Sequence, residues 1–345
     1  MDTFCVLPWY SNELPINTPC CLLPQNTNID QLKSDLLAGV RSAACAKCWR
    51  IEDSEQQSRR QLENIFLDYK LDRNLDQIRQ DCCDNKSSIL LYQIKTSNLC
   101  NQACVSCNSS ASSKWAEIET KMGITPIKYT SSTAEKFDIN YATAQRLELL
   151  GGEPFFDSTT FDILEKLVEH NNTDCFISIV TNGSVSLSSA QLAMLARFTN
   201  LNICVSVDGI GPVFEYMRWP AKWPSLVENI KQYQTIAKIV SVSYTISSLN
   251  ALYYDETVAW FKSNNLNYNH NIITHPDWLN LSRAPDAFKK EFNKNKFLSG
   301  LLDFKDPIDI AVYIDNIASQ DTAKKIDIRN YLPQVAGIIF DNLRN

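Results

Sequence analysis

The stretch Thr96–Trp115, TSNLCNQACVSCNSSASSKW, places cysteines at positions 100, 104 and 107. Thiolates are the ligands that iron-sulfur cubes take, and a four-iron cube has four corners to fill. Three cysteines at C-x3-C-x2-C can wrap one cube from a single loop and leave one iron open to another group. Zinc with a fourth ligand from elsewhere, and spare thiols in a reducing compartment, are the other readings. Structural zinc usually shows two C-x2-C pairs or a Cys/His mix, and the histidines here are only His170, His270 and His275. The spacing favours iron.

Upstream, Ser88–Thr96 (SILLYQIKT) is apolar and partly alternating, as a buried strand is, so the triad follows a strand directly. Downstream, Leu147–Phe156 (LELLGGEPFF) is an apolar run ending in Gly151, Gly152, Glu153 and Pro154. Paired glycines let a backbone approach a ligand closely, and a carboxylate beside them can receive an ammonium group. Alone, Gly-Gly-x-Pro is also an ordinary turn. Further strands are expected at Cys175–Val180, Asn202–Gly209, Ile239–Ile246 and Leu266–Thr274. Helices are expected at Ser109–Met122, Ser158–His170, Pro224–Ala237 and Tyr254–Asn264, with an irregular connection over Gly123–Tyr141. This alternation predicts an α/β fold of parallel strands joined by right-handed crossovers. The strand Cys175–Val180 runs into Thr181, Asn182 and Gly183, either a ligand-contact position or plain turn chemistry. In NICVSVDG (202–209), alternation puts Cys204, Ser206 and Asp208 on one face, read as the lumen, and Ile203, Val205 and Val207 on the other.

The triad after a first strand, the GGEP after a second and the SVDG at 206–209 resemble the radical S-adenosylmethionine (radical SAM) enzymes, over roughly residues 88–280. The resemblance implies a partial (β/α)6 TIM-like barrel. It implies that Cys100, Cys104 and Cys107 hold a [4Fe-4S] cluster whose open iron is chelated by the amino and carboxylate groups of SAM. An electron from that cluster then splits SAM into methionine and a 5′-deoxyadenosyl radical. Gly151, Gly152, Glu153, Pro154 and Asn182 become cofactor contacts, with Ser206 toward the methionine portion of SAM and Asp208 toward its ribose. Arg218 is expected to pair the SAM carboxylate, a task that suits a guanidinium, or else to stack on Trp219 or Trp223. Asn250 is a candidate adenine or ribose contact. Cys204 is a candidate hydrogen-atom donor to a substrate radical, its plainer reading being a small core residue. His270 and His275 are either substrate contacts or satisfied polar residues.

A second cysteine group lies near the start: Cys5 in FCVLPWY, Cys20 and Cys21 in NTPCCLLP, Cys45 and Cys48 in AACAKCW. Prolines at 8, 15, 19 and 24 predict loops and a hairpin. So short a segment buries little apolar area, and a metal or cluster would help hold it. The arrangement looks like the shortened SPASM domain called a twitch domain. That implies an auxiliary [4Fe-4S] cluster on Cys5, one of Cys20 and Cys21, Cys45 and Cys48, with zinc as the alternative. Adjacent cysteines point opposite ways on a strand, so either of the pair qualifies. The twitch pattern has a hairpin glycine; Asn12–Pro19 has none, and Asn17 can take the left-handed position instead.

The expected organisation is therefore a twitch-like module at 1–52, a helical connector at 53–85, the barrel at 86–280 and a helical extension at 281–345. Ile29–Leu37 reads as a short helix ended by Gly39. In the connector, Leu62, Ile65, Phe66, Tyr69 and Leu71 are spaced as one apolar helix face. Cys82 and Cys83 follow it and read as packing or spare thiols rather than ligands. The extension, broken at Asp306 and Pro307, is expected to pack across the barrel or line its open side.

The net charge is −6 with both signs interspersed, which points away from a nucleic-acid surface. Apolar runs are too short for a membrane span, and MDTFCVLPW lacks a basic segment followed by an apolar one, so a cytoplasmic protein is expected. Twelve cysteines at metal-like spacings predict clusters rather than disulfides, and a strongly reducing setting. The expected function is hydrogen abstraction from a peptide, as in crosslinking or epimerisation of ribosomally made peptides, with flavodoxin or ferredoxin as electron donor. The rivals are a dehydrogenase or epimerase of a sugar or aminocyclitol, a SAM-dependent isomerase, and an iron-sulfur electron-transfer or binding protein. GGEP and SVDG argue against the last, because an electron carrier needs neither ammonium nor ribose contacts.

Overall fold

The computed structural model describes residues 2–127, 134–301 and 306–342. Its seven strands are β1 (Ser11–Leu14), β2 (Leu91–Lys95), β3 (Arg146–Leu150), β4 (Phe176–Thr181), β5 (Leu201–Ser206), β6 (Ile239–Ile246) and β7 (Asn267–Ile272). Each pairs in parallel with the next, in the order β1-β2-β3-β4-β5-β6-β7. Crossovers of one hand between sequential neighbours deposit the connecting helices on one face, and the sheet curls around the other as a partial barrel.

Alternation sets the two faces. Leu147, Leu149, Ile177, Ile179, Ile203, Val205, Val242 and Tyr244 are buried toward the helices Ser158–Glu169, Trp223–Gln234 and Tyr254–Ser263. Burying one such aliphatic side chain fully contributes about 1.5–3 kcal/mol. A slip of one residue would turn this row into the lumen, so the register is strongly specified. The lumenal face carries Gln93, Glu148, Ser178 and Asn202 at one level in register. At higher levels Cys204 stands beside Ser241 and Ser206 beside Ser243.

The barrel has one strand more than the six expected. The addition, β1, comes from the segment read as loops and a hairpin. It is four residues long, lies between Pro8 and Pro15, and pairs with β2 far along the chain, so no local pattern marks it. The hairpin turn is present as well: Glu13 bridges Thr18 antiparallel, and Asn17 sits at φ 59°. The helix Ile29–Leu37 forms as expected, with Gly39 at φ 77°.

The connector is two helices, Arg59–Leu71 and Leu75–Cys83, each opened by a capping box, Ser58 with Gln61 and Asn74 with Gln77. Its expected apolar face is a correction. Leu62, Ile65 and Tyr69 are 51%, 56% and 83% exposed, whereas Arg60, Glu63, Asn64 and Leu67 are buried. Polar groups turn inward because the N-terminal backbone needs partners. Asn64 accepts from Val6 N (2.9 Å) and donates to Phe4 O (2.8 Å), while Arg60 donates to Phe4 O (2.7 Å) and pairs with Glu52 (2.8 Å). Phe4, Leu7, Trp9, Leu32, Leu36, Trp49, Leu67, Ile78 and Cys82 form one apolar cluster, and Cys83 is exposed.

Of the connection Gly123–Tyr141, residues 128–133 lie outside the described residues; Ala134–Lys136 forms a 3-10 turn. In the extension, the helices Ile310–Lys324 and Pro333–Asn342 pack on the barrel, with Tyr313 against Trp278 and Phe288, and Tyr216 donating to Asp321 (2.9 Å). No helix of the described residues is long and apolar enough to cross a membrane.

Candidate functional site

The triad lies in the loop between β2 and the helix Ser113–Lys121, and its backbone is tied down from three directions. Gly152 N donates to Ser97 O (2.9 Å), Glu153 N to Leu99 O (2.8 Å), Ser113 N to Asn98 O (2.7 Å), Ala103 N to Trp219 O (2.7 Å) and Val105 N to Met217 O (2.9 Å). Trp115 Nε1 adds a bond to Cys104 O (2.8 Å). A Cβ on Gly152 would lie 2.4 Å from Leu99 O, and one on Gly151, at φ 151°, would lie 2.9 Å from Ser97 O. The glycines therefore allow a close approach to the cysteine loop.

Cys100 and Cys104 are buried and Cys107 is exposed. Burial pushes the Cys100 thiol up to about 12, and Cys104, within hydrogen-bond reach of Cys107, is raised too. Donors nevertheless point at the sulfurs: Gln102 N (3.4 Å) and Asn182 Nδ2 (3.8 Å) at Cys100, and Arg218 Nη1 (3.9 Å) at Cys104. Cys107 is lowered by its hydrogen bond with Cys104, while Cys100 and Cys104, which resist losing a proton alone yet face N–H groups, suit a group that replaces the proton and leaves thiolate behind. A cube-binding set of three thiolates fits these residues.

Arg218 reaches the triad rather than stacking in the open, and pairs with Asp208 Oδ2 (2.8 Å). Burial raises the Asp208 carboxyl, while Arg218 and Thr245 N, which donates to Oδ1 (3.1 Å), oppose the shift. Glu153, expected to receive an ammonium group, is 1% exposed and committed to the chain. It accepts from Phe155 N (3.1 Å), Thr181 Oγ1 (2.6 Å) and Asn182 N (2.6 Å), and Pro154 opens the 3-10 turn behind it. Burial pushes its pKa up to about 7. Asn182 Oδ1 accepts from Ser184 N and Oγ, so its amide hydrogens face Cys100 and Asn101.

Asn250 is a correction. Its amide donates to Asp208 O (2.9 Å) and Thr245 O (2.8 Å) and accepts from Ser247 N (2.7 Å) and Oγ (3.0 Å), which exhausts its bonds and makes it a strut under Asp208. Ser206 and Cys204 are half-buried on the lumenal face; burial raises the Cys204 thiol, opposed by a hydrogen bond with Ser241. His270 faces the helices, among Tyr244, Tyr254, Tyr268 and Phe297, and His275 is exposed.

Sequence reasoning passed over Glu148, Gln93 and Arg59. Gln93 Nε2 donates to Glu148 Oε2 (2.8 Å) on the lumenal wall. Arg59 lies 4.0 Å from Glu148 Oε2 and 2.7 Å from Cys21 Sγ, joining the lumen to the N-terminal cysteine group. One signal was available: a glutamate inside the apolar run LELL needs a polar side to face.

At the N-terminal group, Cys5, Cys20, Cys45 and Cys48 line one recess with Leu7, Leu32 and Leu36. Cys21 is exposed and turned to Arg59. Among the described residues no three His, Cys, Asp or Glu side chains close on one point as a single metal ion requires.

No protein-family model matches the chain, and no curated protein matches its sequence. Solved structures similar to it include native anSMEcpe with bound AdoMet and the Kp18Cys peptide, at 14% identity and TM-score 0.41, over 59% of this chain and 57% of that one. Another is Streptococcus suis SuiB bound to precursor peptide SuiA, at 12% identity and TM-score 0.43, over 85% of this chain and 63% of that one. A third is the radical S-adenosylmethionine methyltransferase TsrM from Kitasatospora setae, at 10% identity and TM-score 0.38, over 53% of this chain and 35% of that one. The chain thus spans less than two thirds of the length of each.

Proposed function

We propose that this chain is a radical SAM enzyme that abstracts a hydrogen atom from a peptide. One observation carries the reading: three cysteines sit on one backbone-locked loop, with N–H donors aimed at the sulfurs of Cys100 and Cys104. Cys100, Cys104 and Cys107 would hold a [4Fe-4S] cluster with SAM at its open corner. Bound there, the pair supplies an electron and a 5′-deoxyadenosyl radical. Asn182 and Arg218 hold donors on the thiolates, and the Arg218–Asp208 pair keeps that cation fixed. Glu153 ties Thr181 and Asn182 to the turn after β3, which holds Asn182 toward Cys100.

The lumenal row Gln93, Glu148, Ser178 and Asn202 offers amide, hydroxyl and carboxylate groups to a peptide's backbone and polar side chains. The same row suits the hydroxyls of a sugar or aminocyclitol, which keeps a dehydrogenase or epimerase as the second reading. Cys204, on that wall, remains the candidate hydrogen-atom donor. Cys5, Cys20, Cys45 and Cys48, which line one recess, would hold an auxiliary [4Fe-4S] cluster, with zinc as the alternative. A cytoplasmic setting and a flavodoxin or ferredoxin donor belong to the same proposal.

Anaerobic reconstitution with iron and sulfide tests it, beside a Cys100/Cys104/Cys107→Ala variant. The expected result is about eight irons per chain falling to about four in the variant, as two four-iron clusters require. With SAM and a strong reductant, 5′-deoxyadenosine should then form only with the native triad. Two clusters without SAM cleavage would make the chain an electron carrier instead.

A further inference from the structure

The helix Ile310–Lys324 ends against the triad loop, and its last residue is a buried cation. Lys324 is 3% exposed. Its Nζ lies 5.0 Å from the centroid of the Trp115 ring, whose Nε1 bonds Cys104 O. The preceding residue, Ala323, packs with Ala103, Trp115 and Ile118. Among the described residues no hydrogen-bond acceptor reaches Nζ. Asp321, one turn back, spends its oxygens on Tyr216 OH (2.9 Å) and Ile328 N (2.7 Å). Burial lowers the Lys324 pKa to about 8, against the opposing pull of Cys104, Asp321 and Cys107.

Three cations thus border the triad, and they differ: Lys95 is half-buried and donates to Ser110 O (3.3 Å) on the triad loop. Arg218 is balanced by Asp208, so the pair adds little net charge. Lys324 has a ring face and the pull of Asp321 but, among the described residues, no hydrogen-bond acceptor, and a buried ammonium without an acceptor is costly unless an anion joins it. A four-iron cube on three thiolates is such an anion, and it becomes more negative on taking up an electron.

We propose that Lys324 is the counter-charge of the cluster on Cys100, Cys104 and Cys107, and that it raises the reduction potential of that cluster. It is a positioning residue brought from the C-terminal extension, and its role rests on the cluster reading given above. A cation fixed beside the cube favours the reduced form, because the added electron increases their attraction. Trp115 holds the lysine in place, and the indole N–H of Trp115, donating to Cys104 O, links the two.

The test uses the full chain, reconstituted as wild type, Lys324→Met and Lys324→Arg. Iron is counted, and the potential of the cluster whose EPR signal SAM perturbs is then titrated without SAM. The expected result is a more negative potential in Lys324→Met and a near-wild-type one in Lys324→Arg. Before reconstitution, Lys324→Met should also melt higher than wild type, since an unpaired buried charge has gone. If Lys324→Met loses the triad cluster while Lys324→Arg keeps it, the counter-charge role is supported through retention. Equal potentials in all three at full iron overturn the proposal and leave the enzyme reading standing. Equal potentials with weaker SAM binding in Lys324→Met also overturn it, and move the lysine to the SAM carboxylate. A wild type whose triad binds no cluster defeats the enzyme reading instead.

Discussion

The barrel and N-terminal cysteine sites are built by opposite means. Around the triad, main-chain bonds with Gly152, Glu153, Ser113, Met217 and Trp219 fix one short loop, and the sulfurs of Cys100 and Cys104 face Gln102, Asn182 and Arg218. At the N-terminal site, Cys5, Cys20 and the Cys45/Cys48 pair arrive from three separate segments around leucines, and side chains hold the frame, chiefly Arg60, Asn64 and Glu52. A locked loop with three thiols and a polar outlook suits a site that must admit a cofactor and substrate. A recess closed by four thiols and apolar walls suits a group that exchanges only electrons or braces the fold.

Substitutions that touch one site and spare the other sharpen this contrast. The largest effect is expected within the adjacent pair. Cys20→Ser should lose about four irons per chain, one cube, whereas Cys21→Ser keeps them, by iron analysis after reconstitution. The reverse would mean that the exposed thiol beside Arg59 is the ligand. Next, Gly152→Ala forces a methyl against Leu99 O and should destabilise the chain by about 1–3 kcal/mol. The SAM-perturbable EPR signal should disappear while the N-terminal cluster's signal persists; loss of both would show that the two sites do not form independently.

The smallest effect concerns Glu153. Its folded pKa, about 7, lies above the ordinary 4.5, so the folded chain holds the extra proton between those values. The stability linked to it is full below pH 4.5 and is lost as pH rises to about 7. Thermal melts of the cluster-free protein should therefore fall over that window, and Glu153→Gln should flatten the slope. An unchanged slope in Glu153→Gln would assign it to another group.

Local pattern carried the reading a long way. Period-two runs marked β2 to β7, and Cys100, Cys104 and Cys107 with the GGEP marked the site. What escaped depends on distant partners. β1 is defined by β2, the inward face of Arg59–Leu71 by the N-terminal backbone, and Lys324 by Trp115. Asn250 looked like a contact because a residue after a strand often is one, and only its four bonds identify it as a strut. The glycines were found for a close backbone approach, and the structure adds the cysteine loop as a neighbour that the sequence does not name.

β1 also bears on how the chain is made. Among the described residues its strand partner is β2, so Ser11–Leu14 is synthesised well before Leu91–Ile94 and waits for it before it can settle. Until then β2 is a bare edge, with a row of N–H and C=O groups open to any other extended chain. A chain trimmed of its first module would keep every barrel cysteine and still carry that edge permanently. It should aggregate as it folds, so Ser11–Leu14 acts as a built-in guard of the β2 edge against sheet-to-sheet association.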